Sequence, residues 1–87
     1  MNANIKKYVK ERDEMLLKCD VNELRKFINT HKELYRPDVL TSMNASSDEV
    51  LTITLHKMIV NVTTLPRKLR EKSAWWLVLH GFDLHIN

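Results

Sequence analysis

Apolar side chains recur every three or four positions along most of the chain, which is the spacing of one face of an α-helix. The first such segment runs from Ile5 to Cys19, with lysines and glutamates around the rest of its circumference. The second begins at Asp20, which with Glu23 matches a capping box in which aspartate replaces serine or threonine. Its apolar stripe comprises Val21, Leu24, Phe27, Ile28 and His31. The pattern predicts two helices joined by almost no linker.

The segment from residue 50 to residue 62 fits two patterns. Leu51, Ile53 and Leu55 alternate with polar residues as in a strand, and β-branched residues are abundant. One helical face would nevertheless gather Leu51, Leu55, Met58, Ile59 and Val62. A second apolar patch comprises Val50, Ile53 and Val60. We favour a third helix that is central or lies in an interface, because two of its sides are apolar, and a strand is the alternative.

The residues from 35 to 47, between the second and third helices, have the weakest periodicity. Pro37 ends any helix that reaches it, and several turn-forming residues follow. We predict a long middle loop with a short helical turn near residues 38–43. Ser46 and Glu49 then form a capping box that opens the third helix.

The last helix has the clearest boundaries. Pro66 suits a first helical turn, and Gly81, the only glycine, accepts the left-handed backbone that closes a helix. These residues predict a fourth helix from about residue 65 to residue 80, with Phe82 folding back onto Leu77. A C-terminal strap would comprise Phe82, Leu84 and Ile86.

These elements predict an all-α fold, a compact bundle of four main helices with a long middle loop and a short extended C-terminal tail. We expect one helical domain, residues 1–87, because the length is too small for a second core. Hydrophobic content of 44% and charged content of 29% argue against disorder. The single cysteine excludes an internal disulfide, and the polar lysine-rich start lacks a signal-peptide pattern, so we expect a cytoplasmic protein without membrane contact.

Arg12 has the least expected position in the first helix. It lies in the middle of the apolar stripe, where an unpaired charge costs free energy. The guanidinium could bind an anionic ligand. We favour a buried ion pair instead, with a carboxylate from Asp48, Glu49 or Asp83 as the partner.

The fourth helix begins with a basic cluster, Arg67, Lys68, Arg70 and Lys72. Cations at a helix N-terminus oppose the helix dipole, which invites a functional explanation such as phosphate or nucleic-acid binding. The net charge of +3 permits an anionic partner without requiring one. The basic side chains point to different sides of the helix, however, so we treat nucleic-acid binding as the alternative function.

The two tryptophans have different expected roles. Trp76 falls on the apolar face of the fourth helix and should be core. Trp75 lies on a flank with Lys68, Lys72 and Leu79, where it could anchor a partner. Packing against the first helix, with lysine stems across the ring, is the equally weighted alternative.

Candidate catalytic chemistry is sparse. The four histidines have no metal-ligand spacing, one cysteine supplies no thiolate cluster, and one glycine makes no phosphate-binding loop. We expect His56 to be a hydrogen-bonded core residue and His80 to cap the last helix. Neither cofactor nor small-molecule substrate is indicated, and we expect no enzymatic activity. A Cys19–histidine dyad would need a proximity that sequence does not give.

Three stretches of the chain, Tyr8–Asp20, Leu55–Ile59 and Leu65–Phe82, carry a resemblance. Their combined order is similar to a family of small uncharacterised helical proteins of Gram-positive bacteria, often encoded near phage-like or conjugative elements. Residues 35–47 depart from the family pattern in being longer. The resemblance implies a helical domain and a bacterial or mobile-element setting. It implies no activity and carries over no functional residue.

We therefore expect a non-enzymatic protein-interaction module that could act as a homodimer, since a small core gains from association. The alternative is a nucleic-acid-binding accessory protein that uses the basic start of the last helix. A phosphate-ligand enzyme is the least favoured function. The candidate interaction residues are Trp75, Lys68, Lys72, Leu79, Arg67 and Arg70.

Overall fold

Helix is the only regular secondary structure in residues 3–85, the part of the chain that the computed structural model describes. The helices are α1 (Ala3–Lys18), α2 (Val21–Thr30), α3 (Pro37–Ala45), α4 (Asp48–Asn61) and α5 (Arg67–Leu79), with a 3-10 turn at Lys32–Leu34. The all-α prediction is confirmed. The strand alternative for residues 50–62 is wrong, since those residues form α4 and its C-terminal cap.

α4 lies at the centre of the fold and contacts α1, α2 and α5. Its Leu51, Leu55 and Ile59 are almost completely buried. They join a continuous core that comprises Met15, Leu16, Leu24, Phe27, Ile28, Leu51, Leu55, Ile59 and Leu65. The second apolar patch of α4 is less buried, and Val50 is exposed. The prediction that residues 50–62 form a central helix is confirmed.

A tight corner joins α1 to α2. Cys19 takes a left-handed backbone conformation with φ of 50°, and its N–H donates to the Leu16 carbonyl at 3.1 Å. The Asp20 side chain then accepts from the N–H of Asn22 at 2.7 Å and caps α2. The predicted cap by Asp20 and the near absence of a linker are therefore confirmed, whereas the Glu23 carboxylate pairs with Lys18 instead of completing a capping box.

The predicted long middle loop is wrong, because residues 37–45 form the nine-residue helix α3. The short helical turn predicted near residues 38–43 lies within this longer helix. Pro37 occupies the first turn of α3, where its missing N–H leaves no hydrogen bond unmade. Leu40 and Met43 of this helix pack against the core. Within residues 3–85 the bundle consequently has five α-helices, not four. The rule that proline ends a helix did not indicate that Pro37 begins one.

The predicted capping box at the start of α4 is wrong by one residue. Ser46 belongs to the end of α3, where its hydroxyl donates to the Ser42 carbonyl and its N–H donates to the Met43 carbonyl. The hydroxyl of Ser47 accepts from the N–H of Val50 at 3.3 Å. Ser46 therefore ends α3, and the next residue, Ser47, caps α4.

Arg12 finds a nearer partner than the three predicted carboxylates. Its Nε and Nη2 atoms donate to Oδ1 of Asp13 at 3.1 and 3.0 Å, and its side chain remains 24% exposed. Asp13 also accepts from the Thr64 hydroxyl at 2.8 Å, which ties α1 to the turn before α5. Asp48 pairs with Arg25 instead. An ion pair was correctly predicted, but its partner and its full burial were wrong.

The end of α5 has the predicted geometry. Gly81 has φ of +77°, its N–H donates to the Val78 carbonyl, and the N–H of Phe82 donates to the Leu77 carbonyl at 2.9 Å. These two bonds form a Schellman cap. The Phe82 ring lies parallel to Trp76, with centroids 6.3 Å apart.

The tail beyond this cap is held by Asn61, whose side-chain amide donates to the Leu84 carbonyl at 2.9 Å. Ile86, the third member of the predicted strap, lies outside the described residues. Within residues 3–85, no helix has the length and apolar character needed to span a bilayer.

Candidate interaction surface

One line of side chains on α5 changes from charged to apolar along the helix. Lys68, Lys72, Trp75 and Leu79 are spaced by four, three and four residues, so they share one face of α5. The first two carry charge, whereas Trp75 is 65% exposed and Leu79 is 76% exposed. We call these four residues the α5 stripe. It presents a cationic half followed by an apolar half.

A groove of about 540 Å³ lies between the end of α1 and the apolar half of the α5 stripe. Leu17, which is 53% exposed, and Cys19 form the α1 side. The remaining lining comes from His56, Leu69, Lys72, Ser73, Trp75, Trp76 and Leu79. We call it the α1–α5 groove. The groove lies between Trp75 and α1, so Trp75 does not pack closely against α1. Most of the indole is therefore exposed to solvent.

Polar contacts at the base of the groove are satisfied internally. Nδ1 of His56 lies 3.0 Å from the hydroxyl of Ser73, and Ser73 is only 2% exposed. Burial lowers the pKa of His56, and the nearby charges of His80 and Lys72 lower it further. These effects favour the neutral form of His56, which is hydrogen-bonded as predicted but half-buried, not fully in the core.

His56, Trp76, His80 and Phe82 form an aromatic stack beside the groove. The Trp76 ring lies 4.2 Å from the ring of His56 and 4.1 Å from that of His80, with interplanar angles of 20° and 22°. Nδ1 of His80 lies 2.7 Å from the Trp76 carbonyl, which is the predicted helix-capping contact. Trp76 is half-buried within this stack, so the expectation that it is a core residue was wrong.

A second groove of about 520 Å³ opens on the other side of the aromatic stack. It is lined by Glu49, Val50, Thr52, Ile53, Trp76, His80 and Phe82. Trp76 therefore contributes to both grooves.

The basic cluster at the start of α5 does not form one surface, as its helical spacing predicted. Arg67 pairs with Glu71 at 2.8 Å, one turn along α5. Arg70 turns back, and its Nε donates to the Leu65 carbonyl at 3.2 Å. Only Lys68 and Lys72 remain on the stripe, and neither takes part in an ion pair among residues 3–85.

A pocket of about 610 Å³ between α1 and the end of α2 was not predicted. Nε2 of His31 lies 2.8 Å from a carboxylate oxygen of Glu11, and the Tyr8 ring meets the His31 ring edge-on at 5.1 Å. The position of His31 on the apolar stripe of α2 was a signal that it faces α1. Nothing in the sequence indicated Glu11 as its partner. Leu17 and Leu69, which line the α1–α5 groove, were also missed.

Cys19 lines the same groove as His56, whose Nδ1 atom contacts the Ser73 hydroxyl instead. Partial burial raises the pKa of the Cys19 thiol, and Lys72 only partly opposes this effect. No group of three or more histidine, cysteine, aspartate or glutamate side chains within residues 3–85 could hold a metal ion.

Comparison with protein-family models, curated proteins and solved structures finds no match to this chain. The resemblance to small proteins of Gram-positive bacteria therefore stays a prediction.

Proposed function

We propose that this chain is a non-enzymatic protein-interaction module that binds a protein partner through the α1–α5 groove. The observation that carries the proposal is the exposure of Trp75 at the edge of an apolar groove. A tryptophan at such a position offers a large contact area at a small cost in conformational entropy, and tryptophan is enriched among residues that dominate binding free energies.

The composition of the surface supports a protein partner. Leu17, Trp75 and Leu79 form an apolar centre, and Lys72 lies at its edge. Apolar centres with polar rims are the usual arrangement of protein–protein interfaces. Burial of these side chains by a partner would also add to the modest stability of a small core.

The chemistry of the groove supports a non-enzymatic role. Ser73 and His56 contact each other, but Ser73 is almost fully buried, so a substrate carbonyl would not reach its hydroxyl. The raised pKa of Cys19 disfavours the thiolate that a cysteine nucleophile requires.

A cytoplasmic location and a bacterial or mobile-element setting are part of the proposal. Cys19 is a free and exposed thiol, which a reducing compartment would preserve. The resemblance to proteins of Gram-positive bacteria supports the setting.

The proposal is tested by photo-cross-linking in the native host. A photoreactive residue placed at position 75 should capture a discrete partner or a second copy, while the same residue at position 34 should not. Leu34 is a matched control because it is 58% exposed and lines the pocket between α1 and the end of α2 instead of the α1–α5 groove. The captured partner is then purified, and we expect Trp75→Ala to weaken its binding at least about tenfold, with Leu34→Ala close to wild type. Equal binding to both variants would reject the proposal.

Nucleic-acid binding is a second candidate, favoured by one observation. Lys68 and Lys72 lie beside the exposed Trp75 on one face, and cations next to an aromatic ring are a common platform for single strands. This candidate predicts affinity for oligonucleotides that falls steeply with salt and is lost in Lys68→Ala/Lys72→Ala. Arg67→Ala should have little effect, since Arg67 already pairs with Glu71.

A further inference from the structure

We infer that the α5 stripe and the α1–α5 groove bind an acidic amphipathic helix, whose carboxylates meet Lys68 and Lys72 while its apolar face covers Trp75 and Leu79. The inference rests on the proposed function and names the chemistry of the partner.

The charge pattern of the stripe points to carboxylates. Lys68 and Lys72 are exposed one turn apart, and neither has a carboxylate partner among residues 3–85. The first turn of α5 contains no acidic residue, and Pro66 provides no side-chain cap. The positive end of the helix dipole is therefore reinforced by positive side chains. Carboxylates from a partner would offset both contributions.

The length and shape of the stripe point to a helix. Residues 68 to 79 span about 17 Å along α5 at 1.5 Å per residue, which is three turns. The described residues contain no strand to which an extended peptide could add by backbone pairing. A helix of similar length could lay one apolar face into the groove between α1 and α5, with its anchors at positions i, i+4 and i+7.

Two-fold symmetry makes a second copy a poorer occupant. A symmetric dimer must present the same patch to itself. If two copies of α5 packed in parallel about the stripe, Lys68 would face Lys68 of the second copy. If they packed antiparallel about Trp75, Lys72 would face Leu79 of the second copy. Neither arrangement gives the two ammonium groups a carboxylate from the stripe.

The test uses three helical peptides that differ only in charge. Each is about four turns long, carries leucines at i, i+4 and i+7, and is held helical by a staple on the opposite side. One peptide carries glutamates at the end of the leucine face, and the others carry glutamine or lysine there. We expect the glutamate peptide to bind the full chain at least about tenfold more tightly than the glutamine peptide, with a salt-dependent affinity.

Variants of the chain locate the binding. Trp75→Ala should weaken binding of the glutamate peptide by about 30-fold, since tryptophan anchors commonly contribute this much. Lys68→Glu/Lys72→Glu should reverse the preference, so that the lysine peptide binds better than the glutamate peptide. Lys6→Glu/Lys10→Glu is the matched control, because both lysines are exposed one turn apart on α1 and the net charge changes equally. It should leave the preference unchanged. Circular dichroism of each variant checks that the helices remain.

The outcomes separate this inference from the proposed function. Equal affinity for the glutamate and glutamine peptides, or no reversal by the lysine-to-glutamate variant, would overturn the acidic partner. The acidic partner would also be overturned if none of the peptides binds and light scattering finds a dimer that Trp75→Ala dissociates. That result would still support the proposed function as a protein-interaction module. If the chain is a monomer and Trp75→Ala does not change its affinity for the peptides, both the acidic partner and the proposed function would be overturned.

Discussion

Nδ1 of His56 and the hydroxyl oxygen of Ser73 lie 3.0 Å apart and join α4 to α5 at the base of the α1–α5 groove. Ser73 is buried, so its position is set by the packing of α5. The bond therefore orients the His56 ring, whose face lies against Trp76. Through this contact, one side-chain hydrogen bond helps to position the part of the groove wall that His56 and Trp76 form.

We predict that Ser73→Ala lowers the free energy of unfolding by about 1 kcal/mol, because His56 loses its buried partner. The exposed helical serine Ser42 offers a matched control, and Ser42→Ala should remain within about 0.5 kcal/mol of wild type. Urea unfolding followed by circular dichroism measures both changes. A Ser73→Ala variant as stable as Ser42→Ala would contradict the role given to this bond.

Stability should fall as the pH drops below the ordinary His56 pKa of 6.5. Above pH 6.5 the imidazole is neutral in both folded and unfolded chains and contributes no slope. Below it the unfolded chain binds a proton first, because burial, His80 and Lys72 lower the pKa in the folded state. The free energy of unfolding therefore declines until the pH reaches the lowered value.

His56→Gln should flatten that decline in unfolding measurements between pH 8 and pH 5, a range of about three units around the ordinary pKa. His85→Gln is the control, since His85 is exposed in the tail and lies outside the aromatic stack. If both variants retain the slope of the wild-type chain, another group is responsible for it.

Gly81→Ala should destabilise the chain by about 1 kcal/mol, because φ of +77° is unfavourable for residues with a Cβ atom. A Cβ atom at this position would meet nothing within 4 Å, so no steric clash adds to the backbone strain. Gly81→Asn should cost less, since asparagine tolerates the left-handed region. Thermal unfolding of the two variants checks the order, and an alanine variant at least as stable as the asparagine variant would disagree with this cap.

Burial and exposure of two leucines should have opposite consequences. Leu55→Ala should cost about 2–5 kcal/mol, because Leu55 is buried at the centre of the core. Leu79→Ala, an equal change in side-chain size, should remain within about 0.5 kcal/mol of wild type, since Leu79 is mostly exposed. Denaturant unfolding gives both values. A small loss for Leu55→Ala would argue against a central α4.

The parts of the fold that sequence predicted well are those set by neighbouring residues. Asp20 caps α2, and Gly81 ends α5, because each depends on the backbone within a few positions. The middle of the chain was harder, since Pro37 can end one helix or begin another. Leu40 and Met43 pack against a core made by residues distant in sequence, and these contacts stabilise α3. Patterns of neighbouring residues do not reveal such long-range contacts.

The candidate surface was predicted only along α5. Helical spacing placed Trp75, Leu79 and Lys72 on one flank correctly. It could not identify Leu17 as the opposite wall, because that depends on how α1 packs against the rest of the bundle. Arg12 illustrates the same limit: the expected long-range partner was replaced by the adjacent Asp13.

The position of Cys19 provides an intrinsic site for footprinting the α1–α5 groove. As the only thiol, on the wall opposite the tryptophan, it allows one alkylating label to be directed to that site without mutagenesis. Its raised pKa means slow alkylation at neutral pH, with the rate increasing as the thiolate forms. Any occupant that covers the cysteine will slow the reaction further, and the modification rate then reports occupancy in a mixture.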